Sequence, residues 1–393
     1  MEAADCRVTD DIRYVGVNDH EIDLFESQFA VPRGMAYNSY VILDDKIAVM
    51  DATAREFGGE WLANIERVTG GKAPSYLIVQ HMEPDHSYNI QAFVEKYPDA
   101  QVVGNAKTFA MIGQFYGLDS LKKIVVKNGD TLELGHHTLT FIFAPMIHWP
   151  EVMMTWDSRD KVFFSADAFG KFGANDVEDP DGWACEARRY YFGIVGKYGM
   201  QVQTLLKKIS CLEMKTICSL HGPVLTGDIS EYLNLYLTWS AYKPEEPGVT
   251  IAYSSVYGNT REAALRLADM LKAGNCPNVS VFDVSRDDIH EAVEDAFRYS
   301  KLVLATTTYN ADIFPTMRTF IENLTERNYQ NRTVALIENG SWAPMAAKVM
   351  RALLEKSKNI TFTETTVTLK SALNAESEEA LRKLADELCR DWQ

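Results

Sequence analysis

Residues 76–89 read "YLIVQHMEPDHSYN", an apolar run of strand type that ends in four ionisable side chains, His81, Glu83, Asp85 and His86. Alternate side chains of an extended chain share a face, so His81 and Glu83 point the same way. Pro84 fixes the backbone between them and the Asp85–His86 pair, which begins a turn into a helix. Neighbouring histidines and carboxylates can satisfy one another as well as hold a metal. The rest of the chain has to decide which.

Three more loops answer to the same description. "APMIHWPE" presents His148 after the strand-like "TLTFIF", "VFFSADAFG" presents Asp167, and "ICSLHGP" presents His221 before a Gly-Pro break. Four histidines and three carboxylates then follow strands within one half of the chain, enough ligands for two metal ions with Asp167 able to bridge them. Short strand-like segments with Asn-Gly, Leu-Gly and Asp-Asp turns fill this half. Helical text lies near 57–69 and 87–97 and in "YYFGIVGKYGMQVQTLLKKIS". Layered sheets flanked by helices suit that mixture.

At "AYKPEEPGVT" (241–250) prolines, a glycine and acids interrupt the pattern, which places a linker there and gives domains of 1–245 and 246–393. Beyond it, five strand-like runs alternate with five helical ones, the order of a doubly wound parallel five-stranded sheet. "SSVYGNT" (254–260) joins the first strand to the first helix. Its Ser, Gly, Asn and Thr supply hydroxyls and backbone N–H groups at a helix N-terminus, a cradle for a phosphate monoester that needs no Lys or Arg. "TTTYNADIFPT" (306–316) and "ENGSWAP" (338–344) follow the third and fourth strands and carry Tyr309 and Trp342. Aromatic faces of this kind stack on a planar ring at the carboxyl ends of the strands.

Composition bounds the partners. With 393 residues, 46% hydrophobic, 24% charged and a formal charge of −16, the chain reads as a globular protein with no nucleic-acid or membrane partner. No apolar run approaches about 18 residues, and the N-terminus lacks an export signal, which predicts a cytoplasmic protein. The six cysteines are scattered without a C-x-x-C pair, so they are expected to be reduced.

The segment "YSSVYGNTREAALRL" resembles flavodoxin, with Ala252 where a larger apolar residue is usual. That resemblance implies FMN, its phosphate on Ser254, Ser255, Tyr257, Gly258, Asn259 and Thr260. The ring would lie between two loops contributing Thr306, Thr308, Tyr309, Asn310 and Ala311 on one side and Asn339, Gly340, Ser341 and Trp342 on the other. The first half resembles the metallo-β-lactamase fold, an αββα sandwich, whose hydrolases carry zinc on H-x-H-x-D-H. Glu83 stands at the second position here. A further carboxylate favours iron over zinc, and three carboxylates with one bridging hydroxide neutralise a diferrous pair.

Taken together, a lactamase-like half with H-x-E-x-D-H, a flavodoxin half, and the strings "HWPE", "SADAFG" and "RYYFGIVGKYG" resemble the flavodiiron (A-type flavoprotein) family. The resemblance implies an oxidoreductase that reduces O₂ to water, NO to N₂O, or both, with FMN and two irons per chain. One iron would take His81, Glu83 and His148, the other Asp85, His86 and His221, with Asp167 bridging. Tyr198 would stand near the substrate. A domain of about 240 residues has a radius of gyration near 18 Å, so electron transfer within one chain would be long. A head-to-tail homodimer, or a dimer of such dimers, is therefore expected. A chain ending at Gln393 is expected to draw on a separate donor, rubredoxin or a reduced deazaflavin. The competing reading is a dinuclear zinc hydrolase with an appended flavodoxin domain.

Overall fold

The computed structural model describes residues 6–118 and 120–392; the outermost residues of both expected domains, 1–5 and 393, and Asp119 lie outside the described residues. The chain divides into two compact units, Met1–Tyr236 and Leu237–Gln393. The division falls inside the helix Ile229–Ser240, and the first strand of the second unit begins at Glu246.

Two large sheets, with two small two-stranded ones beside them, make the first unit. One orders the strands Ile12–Tyr14, Tyr40–Ile42, Ala48–Met50, Tyr76–Ile78, Gln101–Gly104 and Lys123–Val125, antiparallel over the first three and parallel from there on. The other orders Thr131–Glu133, Thr138–Phe143, Met153–Asp157, Val162–Phe164 and Thr216–Cys218, antiparallel except for the last pair. Their inner faces share one apolar core, in which Ile42, Met50, Ile78 and Val103 meet Phe141, Met153, Phe164 and Cys218. Helices cover the outer faces; Gly58–Thr69, for example, buries Trp61 and Ile65. This is the four-layer arrangement expected from the alternation of short strands and helical text.

Two details depart from the expected elements. The helical text near 87–97 is two helices, Pro84–Ser87 and Ile90–Lys96. Asn89 sits between them because its amide donates to the carbonyls of Thr53 at 3.0 Å and Ala54 at 2.7 Å, a tertiary anchor that local propensity does not register. The long helix expected after residue 190 is α-helical over Trp183–Tyr190, a π-helical turn over Tyr191–Val195, a 3-10 turn over Gly196–Tyr198, and α-helical again over Gly199–Ile209.

In the second unit the strands lie in the order Val279–Asp283, Glu246–Tyr253, Tyr299–Tyr309, Arg332–Asn339 and Ile360–Leu369, all parallel. In sequence terms that is 2-1-3-4-5, the flavodoxin order, with its ligand crevice at the strands' carboxyl ends. A short strand, Asp312–Ile313, folds back on Thr308–Tyr309 and stiffens the third loop.

Candidate metal centre and flavin cleft

Each candidate metal ligand lies in the segment that follows a strand, Asp85 and His86 already within the short helix Pro84–Ser87. His81 stands three residues after Ile78, Asp167 three after Phe164 and His221 three after Cys218. The structure brings all seven together. His81 Nε2 and His148 Nε2 lie 3.3 and 3.0 Å from Glu83 Oε2, and 3.4 and 3.0 Å from Asp167 Oδ2. On the other side His86 Nε2 and His221 Nε2 are 3.0 Å apart and lie 3.2 and 3.4 Å from Asp85 Oδ2. The second oxygen of Asp167 faces this group, 3.4 Å from His86 Nε2 and 3.9 Å from His221 Nε2. Asp167 thus turns one oxygen to each group.

Separations near 3 Å are those of adjacent ligands around an ion at about 2.1 Å. Both oxygens of Asp85 and of Asp167 are buried and accept no hydrogen bond of good geometry among the described residues; their near neighbours are histidine nitrogens. Buried carboxylates so placed call for positive charge beside them, protons on the histidines or a metal ion. The donor set fits two divalent ions.

Without metal, the cluster holds itself together by proton placement. Burial opposes a charge on His148, but Asp167 and Glu83 beside it outweigh that and raise its pKa to about 9. The same balance raises His81 far above its ordinary value, chiefly through Asp167 and Glu151. Burial likewise works against charge on Glu83, yet His148 and His81 hold its carboxyl well below the usual range.

Sequence reasoning missed several residues here. Glu151, buried, accepts from His81 Nδ1 at 2.8 Å and from the Met82 backbone N–H at 2.9 Å. Asp51 accepts from the backbone and side-chain amides of Gln80 at 2.7 and 2.9 Å, and burial pushes its pKa up to about 6. Aromatic rings wall the side of His221: Phe25 at 5.3 Å, Tyr190 at 5.5 Å and Tyr37 at 6.0 Å between centroids. Tyr190 and Tyr37 are tyrosines whose rings pack on the clustered histidines. The Tyr190 hydroxyl is buried with no partner among the described residues, and burial, reinforced by Asp167, Glu83 and Asp85, keeps it protonated. Tyr198 lies half-buried at the end of the 3-10 turn. Glu151 had a signal, its place in "HWPE"; Tyr190 had only its place in a run of aromatics.

In the second unit the loops after four strands enclose a cleft of about 620 Å³. Ser255, Tyr257, Asn259 and Thr260 line it from the first loop, Thr308, Tyr309, Asn310 and Ala311 from the third, and Asn339, Gly340, Ser341 and Trp342 from the fourth. Gly258 precedes the helix Asn259–Ala273 with φ 94° and leaves its first N–H groups without a side-chain cap. Ser254 and Thr306 are buried and bond each other at 2.6 Å, so they brace the cleft from beneath its loops. Ser371, after the fifth strand, also lines the cleft; its backbone N–H donates to Asn339 Oδ1 at 3.1 Å and its carbonyl accepts from Asn339 Nδ2 at 2.9 Å. Trp342 is 92% exposed and Tyr309 44% exposed beside the opening, with Tyr257, also 92% exposed, on the first loop. Neutral donors at a helix start and two uncovered aromatic faces fit a flavin mononucleotide.

The fold and the paired cluster define a class: a lactamase-type metal domain joined to a flavodoxin-type domain. Residues 35–222 match the family described as ODP family beta lactamase, and residues 250–371 match the flavodoxin domain. An anaerobic nitric oxide reductase flavorubredoxin of Salmonella arizonae is 30% identical over 347 residues, covering 86% of this chain and 72% of that one. A nitric oxide reductase of Moorella thermoacetica is 29% identical over 359 residues, covering 89% and 90%. Among solved structures, the rubredoxin oxygen:oxidoreductase of Desulfovibrio gigas superposes with a TM-score of 0.91 at 24% identity, covering 98% of each chain. A variant of the flavo di-iron protein of Thermotoga maritima gives 0.86 at 25% identity, covering 97% and 96%. The chain belongs to the flavodiiron family. No helix among the described residues is long and apolar enough to cross a membrane.

Proposed function

We propose that this chain is a flavodiiron oxidoreductase that reduces nitric oxide to nitrous oxide, dioxygen to water, or both. The carrying observation is the posture of Asp167, one oxygen toward His81 and His148 and the other toward His86 and His221. His81, Glu83 and His148 would hold one iron, Asp85, His86 and His221 the second, and Asp167 both. Bound FMN and the iron pair supply the electrons, two for coupling two NO molecules or four for one O₂. The chain's own contribution is shape and charge. The rings of Phe25, Tyr37 and Tyr190 wall His221 with largely apolar surface, which suits a small uncharged gas as substrate. The Tyr190 hydroxyl, protonated and without a partner among the described residues, is a spare hydrogen-bond donor on that wall.

The ring of FMN would sit between Tyr309 and Trp342 with its phosphate at the start of the helix Asn259–Ala273. A Trp342→Ala variant is expected to weaken FMN binding by about fivefold to tenfold, the worth of one stacked aromatic pair. Quenching of flavin fluorescence measures it, and unchanged affinity would remove Trp342 from the ring's contacts. A separate donor, rubredoxin or a reduced deazaflavin, is expected to reduce the flavin. The active assembly is a head-to-tail homodimer or a dimer of dimers, with domains ending near residue 245, in the cytoplasm. A monomer with full donor-dependent turnover would refute the dimer.

The zinc-hydrolase reading is disfavoured by Glu83 in the place of a histidine and by the flavodiiron relatives. The deciding experiment loads the protein with iron and FMN, reduces it without oxygen, and follows single-turnover oxidation by NO and by O₂. Oxidation by either gas with N₂O or water as product is expected. No oxidation by either, with hydrolysis by a protein carrying two zinc ions, would overturn the proposal.

A further inference from the structure

The outer ring nitrogens of the clustered histidines meet unlike partners. His81 Nδ1 faces Oε1 of Glu151 at 2.8 Å; a carboxylate accepts, so this nitrogen carries the proton. His221 Nδ1 faces the neutral carbonyl of Ala36 at 2.8 Å. His86 Nδ1 is buried and has no partner among the described residues. The three rings therefore range from a charged acceptor through a neutral one to none.

Glu151 is itself firmly placed. Its side chain also accepts the Met82 N–H, which fixes the loop between His81 and Glu83. Its backbone carbonyl accepts from the side-chain amide of Asn105 at 2.5 Å, and Asn105 in turn caps the helix Ala106–Tyr116. Glu151 lies three residues after His148, so one carboxylate ties together the two loops that supply His81, Glu83 and His148. The group of Asp85, His86 and His221 has no such tie among the described residues.

A carboxylate behind a ligating histidine fixes its tautomer and orientation and raises the basicity of the nitrogen that faces the metal; its loss usually costs about 10–100-fold in metal affinity. A carbonyl orients without adding charge, and an unpartnered ring has neither aid. We propose that Glu151 makes the two halves of the cluster unequal, so that the half of His81, Glu83 and His148 takes up its metal ion first and holds it more tightly. This rests on the two-metal reading of the site.

The test titrates the metal-free full chain, in its native assembly, with Zn²⁺ at a fixed pH by calorimetry. Wild type is expected to show two steps, the first tighter by about tenfold or more. In Glu151→Gln the amide oxygen still accepts from His81 Nδ1 while the charge is gone. The half of His81, Glu83 and His148 should then bind about 10–100-fold more weakly, so that the two steps converge or exchange order while the affinity of the other half is unchanged. His86→Asn, with Glu151 intact, should lose the second step and keep the first. Equal affinities in wild type, two Glu151→Gln affinities that both match wild type, a fall in both affinities, or loss of the tighter step in His86→Asn would each overturn the proposal. Stepwise Zn²⁺ uptake in a protein whose iron-loaded form reduces neither gas would sink the proposed function and leave this inference standing.

Discussion

An Asp167→Ala variant is expected to reduce NO and O₂ slower than wild type by about 100-fold or more, and to retain fewer than two metal ions after dialysis. The geometry gives the reason. Among the described residues Asp167 is the carboxylate that faces all four histidines, 3.0 to 3.4 Å from three of them and 3.9 Å from His221. Its removal takes a ligand from each half and the shared negative charge from both. The metal-free variant should also be less stable near neutral pH. His81 and His148 carry raised pKa values largely because of Asp167, and breaking a buried ion pair by removing one partner costs about 3–5 kcal/mol. Metal content by plasma emission and gas-consumption rates measure the first effect, thermal melting of the metal-free protein the second. Two tightly held ions with a wild-type rate would remove Asp167 from the bridge.

The ligand set was readable because each ligand follows an apolar strand within a few residues. Strand alternation and a Pro-fixed turn suffice to aim His81, Glu83, Asp85 and His86 at one region. The supporting residues lack such a local cause. Glu151 meets His81 across 70 residues, and Asp51 meets Gln80 across 29, so their roles appear only once the strands are paired. Tyr190 shows a different obstacle. It ends an α-helix that runs on into a π-helical and a 3-10 turn, so the 3.6-residue period does not carry a single face along this run of aromatics. In the second unit the alternation of strand and helix gave the crossovers. Ser371 escaped notice because nothing in "LKSALN" resembles a ligand loop; the fifth strand's position beside the fourth brings it to Asn339.

The metal-free and metal-loaded proteins should respond to pH in different ways above about pH 6.5, the ordinary pKa of histidine. In the metal-free protein His148 titrates at about 9, held up by Asp167 and Glu83. A group whose folded pKa exceeds its unfolded one stabilises the fold fully below the unfolded value, and that contribution disappears as the pH rises through the folded value. The metal-free chain therefore loses stability between about pH 6.5 and 9, on the order of 3 kcal/mol from His148 alone. Metal ligation needs the same nitrogens neutral, so uptake expels these protons and strengthens by about tenfold per pH unit for each one released. The loaded protein has no such proton to lose and stays level across the window. Glu83 and Asp167 titrate below the usual carboxylate range, so the histidines rather than the carboxylates set where acid strips the metal. Calorimetric melting temperatures of the two forms at pH 6, 7.5 and 9 should draw steadily apart. Parallel trends would mean that His148 is already neutral in the metal-free fold, and that the carboxylates around it do not hold its proton.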